Sequence, residues 1–129
     1  MSDPFHAAHQ QATEWLLGSL GARLLLCPVT EAGFVRIASS PQVGKKSTAV
    51  AMQMLAEIAA LPNVAHLPIS ASWLQLIRPL APRLYGHRQV TDALLLGLAI
   101  RNNVILVTLD RAIQALAGEA YAANLLTLA

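Results

Sequence analysis

The chain has 129 residues, of which 55% are hydrophobic and only 12% are charged. So apolar a composition excludes intrinsic disorder, which requires low hydrophobicity and a high charge content. The longest apolar runs, 24–29 and 93–100, are too short for a bilayer-spanning helix of about 20 residues. A single cysteine and a polar N-terminus without a signal-peptide pattern predict a cytoplasmic protein. The length predicts one domain over residues 1–129.

The charge balance points only weakly to a partner. Nine Lys and Arg residues against seven Asp and Glu residues give a net charge of +2. Because this excess is small, it favours an anionic partner such as nucleic acid only slightly. The low charge and high apolar content indicate instead that a partner covers part of the surface. We therefore expect the chain to form a homo-oligomer.

Hydrophobic periodicity and turn residues predict alternating helices and strands in the first half of the chain. The predicted elements are a helix over 6–20, a strand over 24–27, a helix over 30–38, a helix over 47–60 and a strand over 64–67. Thr30 is the predicted cap of the second of these helices. The strand over 24–27 is wholly apolar, which predicts that it is covered on both faces.

The second half continues the alternation. The predicted elements are a helix over 70–80 capped by Ser70, a helix over 92–102 capped by Thr91, a strand over 104–108, a short helix over 111–116 and an edge strand over 124–128. The helix over 92–102 is apolar on nearly every face, which is typical of a buried helix. The whole pattern predicts an α/β fold, in which helices flank a parallel sheet and this helix lies at the centre.

Three of the seven acidic residues fall where strands end or helices begin. Glu31 follows the strand over 24–27, Asp92 opens the buried helix, and Asp110 follows the strand over 104–108. In open parallel sheets, ligands bind beyond the carboxyl ends of the strands, and clustered carboxylates there suit Mg²⁺ or Mn²⁺. Considered one at a time, each acid is better explained as a residue at a helix N-terminus, where a negative charge is favourable, than as a metal ligand. A site exists only if the fold brings the three together.

Two other residues have structural interpretations. Cys27 ends an apolar strand and is expected to be a buried thiol without a reactive role. His66 lies on a predicted strand and is expected to be a core or edge histidine. The sequence contains no phosphate-binding glycine loop.

Three segments, 27–37, 86–93 and 106–111, occur in an order and spacing that resembles the PIN-domain toxins of VapBC-type toxin–antitoxin pairs. The resemblance implies a ribonuclease that depends on Mg²⁺ or Mn²⁺, cleaves RNA and binds a cognate antitoxin. It also implies that Glu31, Asp92 and Asp110 are the catalytic acids and metal ligands. Thr108 matches a position beside the last acid, where its hydroxyl would orient that acid.

The sequence departs from the family at its start. Family members open with an apolar strand that ends in Asp-x-Asn, and that aspartate is a principal metal ligand. Residues 1–6 match the loop and helix that follow this strand, and Asp3 does not replace the ligand. We therefore expect a polypeptide of these residues to be N-terminally truncated, to bind Mg²⁺ weakly and to have little or no nuclease activity.

Three interpretations of this departure stay open. In the first, the gene's start codon lies further upstream. In the second, the chain is a degenerate toxin that borrows a strand from a partner or a second copy. In the third, the chain is a non-catalytic PIN-like module that binds antitoxin or RNA. We favour the first for the gene and keep the other two for this polypeptide.

Overall fold

The computed structural model describes residues 23–108 and 110–128. These residues form two compact units, the first ending at Ile69 and the second beginning at Ser70. The helix predicted over 6–20 lies outside the described residues. No helix within the described ranges is long and apolar enough to cross a membrane.

The first unit is built from two strands and two helices. Its elements are β1 (Leu24–Leu26), α1 (Pro28–Ala38), α2 (Thr48–Ala59) and β2 (Val64–His66). The strands pair in parallel, with Leu24 opposite Val64 and Leu26 opposite His66. Parallel strands require a crossover connection, which α1 and α2 provide. Within the described residues β1 pairs on one edge only, and its leucines stay half-buried. These leucines alternate between the two faces of the strand, so each face is partly covered.

The first helix of this unit begins earlier than predicted. Cys27 is the N-cap of α1, Pro28 occupies the first helical position, and Thr30 lies inside the first turn. Proline suits that position because it has no N–H to leave unsatisfied and its φ is already helical. Thr30 Oγ1 accepts a hydrogen bond from the Cys27 N–H and donates one to the Cys27 carbonyl, both at 3.0 Å. Cys27 is only 5% exposed, which confirms that its thiol is buried.

The second unit has helices around a second parallel strand pair. Its elements are α3 (Trp73–Ile77), a 3-10 helix (Arg78–Arg83), a 3-10 helix (His87–Gln89), α4 (Val90–Arg101), β3 (Leu106–Thr108), α5 (Ile113–Ala117), a 3-10 helix (Ala122–Asn124) and β4 (Leu125–Thr127). In the parallel register, Leu106 lies opposite Leu125 and Thr108 opposite Thr127. The predicted α/β class is confirmed, with one parallel pair in each unit.

Two helix starts in this unit differ from the prediction. Ser72, not Ser70, caps α3, because Ser72 and Gln75 exchange hydrogen bonds at 3.2 and 2.9 Å. Such a reciprocal pair needs a Gln or Glu three residues after the cap, and Ser70 has Trp73 there. The central helix α4 begins at Val90 behind Gln89, so Thr91 is not its cap.

The core of the second unit is centred on α4. Five of its residues are buried, namely Ala93, Leu96, Gly97, Leu98 and Ala99. They confirm the prediction of a buried helix. Leu96 belongs to a single hydrophobic cluster with Ile77, Leu80 and Leu116. The first two turns of α4 are thus anchored in the core of the unit.

Gly97 lets α3 and α4 approach closely. A Cβ atom built on Gly97 would overlap the backbone carbonyl of Leu76. Backbone atoms cannot move aside as a flexible side chain can, so the absence of a side chain at Gly97 is a packing requirement. Gly33, in the middle of α1, offers a contrast, because a Cβ atom there would meet nothing within 4 Å.

We predict that Gly97→Ala destabilises the protein by about 1–3 kcal/mol, the usual cost of overpacking. The matched control Gly33→Ala is expected to raise stability by about 0.5–1 kcal/mol, since alanine loses less backbone entropy in a helix. Urea unfolding followed by circular dichroism measures both variants. An unchanged midpoint for Gly97→Ala would contradict the packing account.

Candidate functional site

Two of the three predicted acids interact with each other in the second unit. Asp92 lies in the first turn of α4 and is half-buried, whereas Asp110 follows β3 and is exposed. Burial raises the pKa of Asp92, and the negative charge of Asp110 raises it further. The fold therefore brings two carboxylates near enough to repel each other, although they are 18 positions apart in the sequence.

Asp110 is held in place by its neighbours. Thr108 Oγ1 accepts a hydrogen bond from the Asp110 N–H at 3.1 Å, and Asp110 Oδ1 accepts one from the Ala112 N–H at 2.9 Å. Thr108 therefore acts on the Asp110 backbone, not on its carboxylate. The capping interpretation of Asp110 is wrong, because Ala112 is the N-cap of α5 and the helix has no side-chain cap. Asp110 Oδ1 instead closes a turn before the helix. Oδ2 has no hydrogen-bond partner among the described residues and can face another ligand.

Glu31 belongs to the first unit and has a partner that the sequence interpretation missed. It lies in the first turn of α1, and its Oε1 is 3.6 Å from His66 Nε2. His66 ends β2, and its side chain is 57% exposed, so the edge alternative for this histidine is correct and the core alternative is wrong. The parallel register that sets Leu26 opposite His66 also sets His66 beside the start of α1. No short sequence pattern specifies that register, so the sequence carried no signal for the pair.

A divalent metal fits the chemistry of the Asp92–Asp110 pair. Mg²⁺ commonly takes one or two protein carboxylates, with water and substrate phosphate oxygens as its other ligands. A nearby cation would also oppose the two effects that raise the pKa of Asp92, which are burial and the negative charge of Asp110. Within the described ranges, no group of three or more His, Cys, Asp or Glu side chains is placed to hold a metal. The joint role of Glu31, Asp92 and Asp110 stays a prediction.

Residues 5–119 match the PIN domain family, so the chain belongs to that family. Its curated relatives include three from Mycobacterium tuberculosis. Ribonuclease VapC38 of strain ATCC 25618 / H37Rv is 37% identical over 114 residues, which cover 88% of this chain and 80% of that protein. Ribonuclease VapC39 of strain CDC 1551 / Oshkosh is 34% identical over 113 residues, covering 85% and 81%. Ribonuclease VapC44 of the same strain is 31% identical over 118 residues, covering 86% and 79%. The resemblance to VapC-type PIN toxins is confirmed.

We predict that Asp92→Asn raises the thermal stability of the metal-free protein at neutral pH. The folded state binds the Asp92 proton more tightly than the unfolded state, because burial and Asp110 raise the pKa. Stability therefore falls as the pH rises from the unfolded pKa through the folded one, and removing the charge restores it. For a partly exposed pair of charges, we expect the substitution to raise the free energy of unfolding by about 0.2–1 kcal/mol.

The measurement is the Tm of metal-free wild type, Asp92→Asn and Glu119→Gln at neutral pH. Glu119 is an exposed acid of the same unit, so Glu119→Gln is expected to leave the Tm unchanged. A lower Tm for Asp92→Asn than for wild type would show that its carboxylate stabilises the fold, against the account given above.

Proposed function

We propose that the chain is a cytoplasmic endoribonuclease toxin of a toxin–antitoxin pair and depends on Mg²⁺ or Mn²⁺. Family membership and three relatives named as VapC ribonucleases support this proposal. The structural observation that carries it is the Asp92–Asp110 pair, in which burial and the negative charge of Asp110 both raise the pKa of Asp92. The family match crosses the boundary at Ile69, which supports a single PIN domain made of both units.

Asp92 and Asp110 would hold the metal, and Glu31 is a further proposed ligand because it matches an acidic position of the family. Bound metal would supply a Lewis acid and lower the pKa of a water that attacks the RNA phosphodiester. Thr108 would act as a positioning residue, because its hydroxyl fixes the backbone from which Asp110 projects. The core around Leu96 would keep Asp92 in place as substrate binds.

RNA, a cognate antitoxin and a second copy of the chain are the proposed partners. The exposed apolar side chains support a protein partner, because removing apolar surface from water favours association. The most exposed aliphatic examples are Leu74 at 67%, Met52 at 62% and Ile105 at 58%.

A second candidate function is a non-catalytic PIN-like module that binds antitoxin or RNA without cutting it. Two observations favour it over an efficient enzyme. The 129 residues contain no Asp-x-Asn segment, and no cluster of three ligands occurs in the described part of the chain. We accordingly propose that a polypeptide of these residues alone binds metal weakly and cleaves RNA slowly.

RNA cleavage with added Mn²⁺ or Mg²⁺ separates the two functions. The enzyme hypothesis predicts cleavage that EDTA abolishes and that Asp92→Asn reduces at least about 100-fold, the scale of losing one pre-organised charge-stabilising group. Glu119→Gln is the matched control and keeps wild-type cleavage. Binding of RNA without any metal-dependent cleavage supports the second function. Equal cleavage by wild type and Asp92→Asn contradicts the proposed site.

Self-association is tested by size-exclusion chromatography with light scattering. One chain has a mass of 13.7 kDa, and we predict a species of at least twice that mass, because apolar side chains are exposed. A stable monomer at concentrations well above those of the cleavage assay would contradict this prediction.

A further inference from the structure

Glu31 and His66 form the one ion pair found among the described residues. Glu31 Oε1 lies 3.6 Å from His66 Nε2, which is too far for a hydrogen bond. No hydrogen bond from another described residue reaches either side chain. The side chains are 22% and 57% exposed, so water and ions can reach both. An oxygen donor and a nitrogen donor therefore lie side by side with their other binding capacity unused.

The backbone that carries the two donors is firmly connected. Glu31 lies in the first turn of α1, where its N–H donates to the Cys27 carbonyl at 2.9 Å. His66 ends β2, and the N–H of the next residue, Leu67, donates to the Leu26 carbonyl at 2.7 Å. Because Leu26 directly precedes the N-cap of α1, this bond ties the end of β2 to the start of that helix. Donors on helices and strands are held more precisely than donors on loops.

The separation of the two donor atoms suits one kind of divalent ion better than another. Zn²⁺ bonds to imidazole nitrogen at about 2.0–2.1 Å and to carboxylate oxygen at about 2.0–2.2 Å, in tetrahedral geometry. Two such bonds place their ligand atoms about 3.3–3.5 Å apart, which is close to the 3.6 Å between Oε1 and Nε2. Octahedral Mg²⁺, with bonds of about 2.0–2.1 Å, places neighbouring ligand atoms only about 2.8–3.0 Å apart.

The chemistry of the donors favours the same ion. Imidazole nitrogen is a common ligand of Zn²⁺, whereas Mg²⁺ takes oxygen ligands. Within the described ranges, no third His, Cys, Asp or Glu side chain joins the pair to form a larger cluster. Water would therefore fill the other positions of a tetrahedral ion, as it does in zinc sites that are not closed by four protein ligands.

We propose that Glu31 and His66 together bind a divalent metal ion and that they bind Zn²⁺ in preference to Mg²⁺. The proposed function already names Glu31 as a metal ligand, and the inference rests on it to that extent. It adds His66 as a nitrogen ligand. With that ligand comes a metal preference that Asp92 and Asp110, which offer only oxygen, do not provide.

The test is NMR of the histidine imidazole nitrogens in the full chain, at fixed pH and without RNA, as ZnCl₂ or MgCl₂ is added. The His66 signals are identified by their absence in His66→Ala. We expect Zn²⁺ to shift these signals to saturation and Mg²⁺ at the same concentrations to leave them in place. His87 is exposed and forms no ion pair with a described carboxylate, so its signals are expected to respond only at higher Zn²⁺ concentrations.

The role of the carboxylate is tested by Glu31→Gln, which keeps the shape of the side chain and removes its charge. We expect Zn²⁺ affinity at His66 to fall at least about tenfold, because losing even an outer partner of a metal ligand costs about 10- to 100-fold. Glu57→Gln is the matched control, since Glu57 is an exposed acid on α2 of the same unit, and it is expected to keep wild-type affinity. If Glu31→Gln does not fold, the comparison of Zn²⁺ with Mg²⁺ in wild type still decides.

Three results would overturn the inference. They are His66 signals that Zn²⁺ does not move, an equal response to Mg²⁺, and wild-type Zn²⁺ affinity in a folded Glu31→Gln variant. The first would show that the two side chains form an ion pair only. Zn²⁺ binding at His66 without any metal-dependent RNA cleavage would contradict the proposed function and support the inference. Cleavage by a protein whose His66 ignores Zn²⁺ would do the reverse.

Discussion

The placement of Asp92 beside Asp110 is the feature on which the candidate site of the second unit depends. Asp92 lies in the first turn of α4 and Asp110 follows β3; burial raises the pKa of Asp92, and the charge of Asp110 raises it further. Neither residue can move away easily. Asp92 is carried by a helix whose buried side chains anchor the core, and Asp110 is held by Thr108 and Ala112. Local electrostatic strain of this kind is typical of sites that await a ligand of opposite charge.

The residues that stabilise the second unit are different from those that form its candidate site. The core around Leu96 stabilises the unit and has no polar member, whereas the candidate site lies at its margin, on a helix end and a strand end. In parallel α/β folds this margin is where ligands bind, because side chains from several strands and helices converge there. In the first unit, Glu31 and His66 occupy the equivalent carboxyl edge of the β1–β2 pair.

The sequence predicted the features that depend on local pattern. The apolar character of the helix over 92–102 predicted its burial, and Asn103 adopts a left-handed φ of 54° in the tight turn that follows it. The errors at helix starts were also local: Pro28 was assigned to the end of the strand and not to the first position of α1, and the Ser72–Gln75 pair was overlooked. The motifs of segments 27–37, 86–93 and 106–111 were enough to identify the family.

Features that depend on non-local pairing could not be predicted in the same way. The contact between Glu31 and His66 follows from the register of two strands 40 residues apart, which no short pattern specifies. The approach of Asp92 to Asp110 depends on how α4 packs beside β3. The loop before α4 is held by the Gln89 side chain, whose hydrogen bonds from the Tyr85 and Gly86 N–H groups are invisible in the sequence.

The central claim is that Asp92 and Asp110 form a divalent-metal site. The most direct test is the Tm of wild type, Asp92→Asn and Glu119→Gln as Mn²⁺ is titrated at neutral pH. A ligand that binds only the folded state stabilises it by RT ln(1 + [L]/Kd), so the Tm of wild type and of Glu119→Gln is predicted to rise with Mn²⁺. The Tm of Asp92→Asn is predicted to rise much less. An equal rise in all three proteins would place the metal elsewhere, and no rise in wild type would contradict the existence of the site.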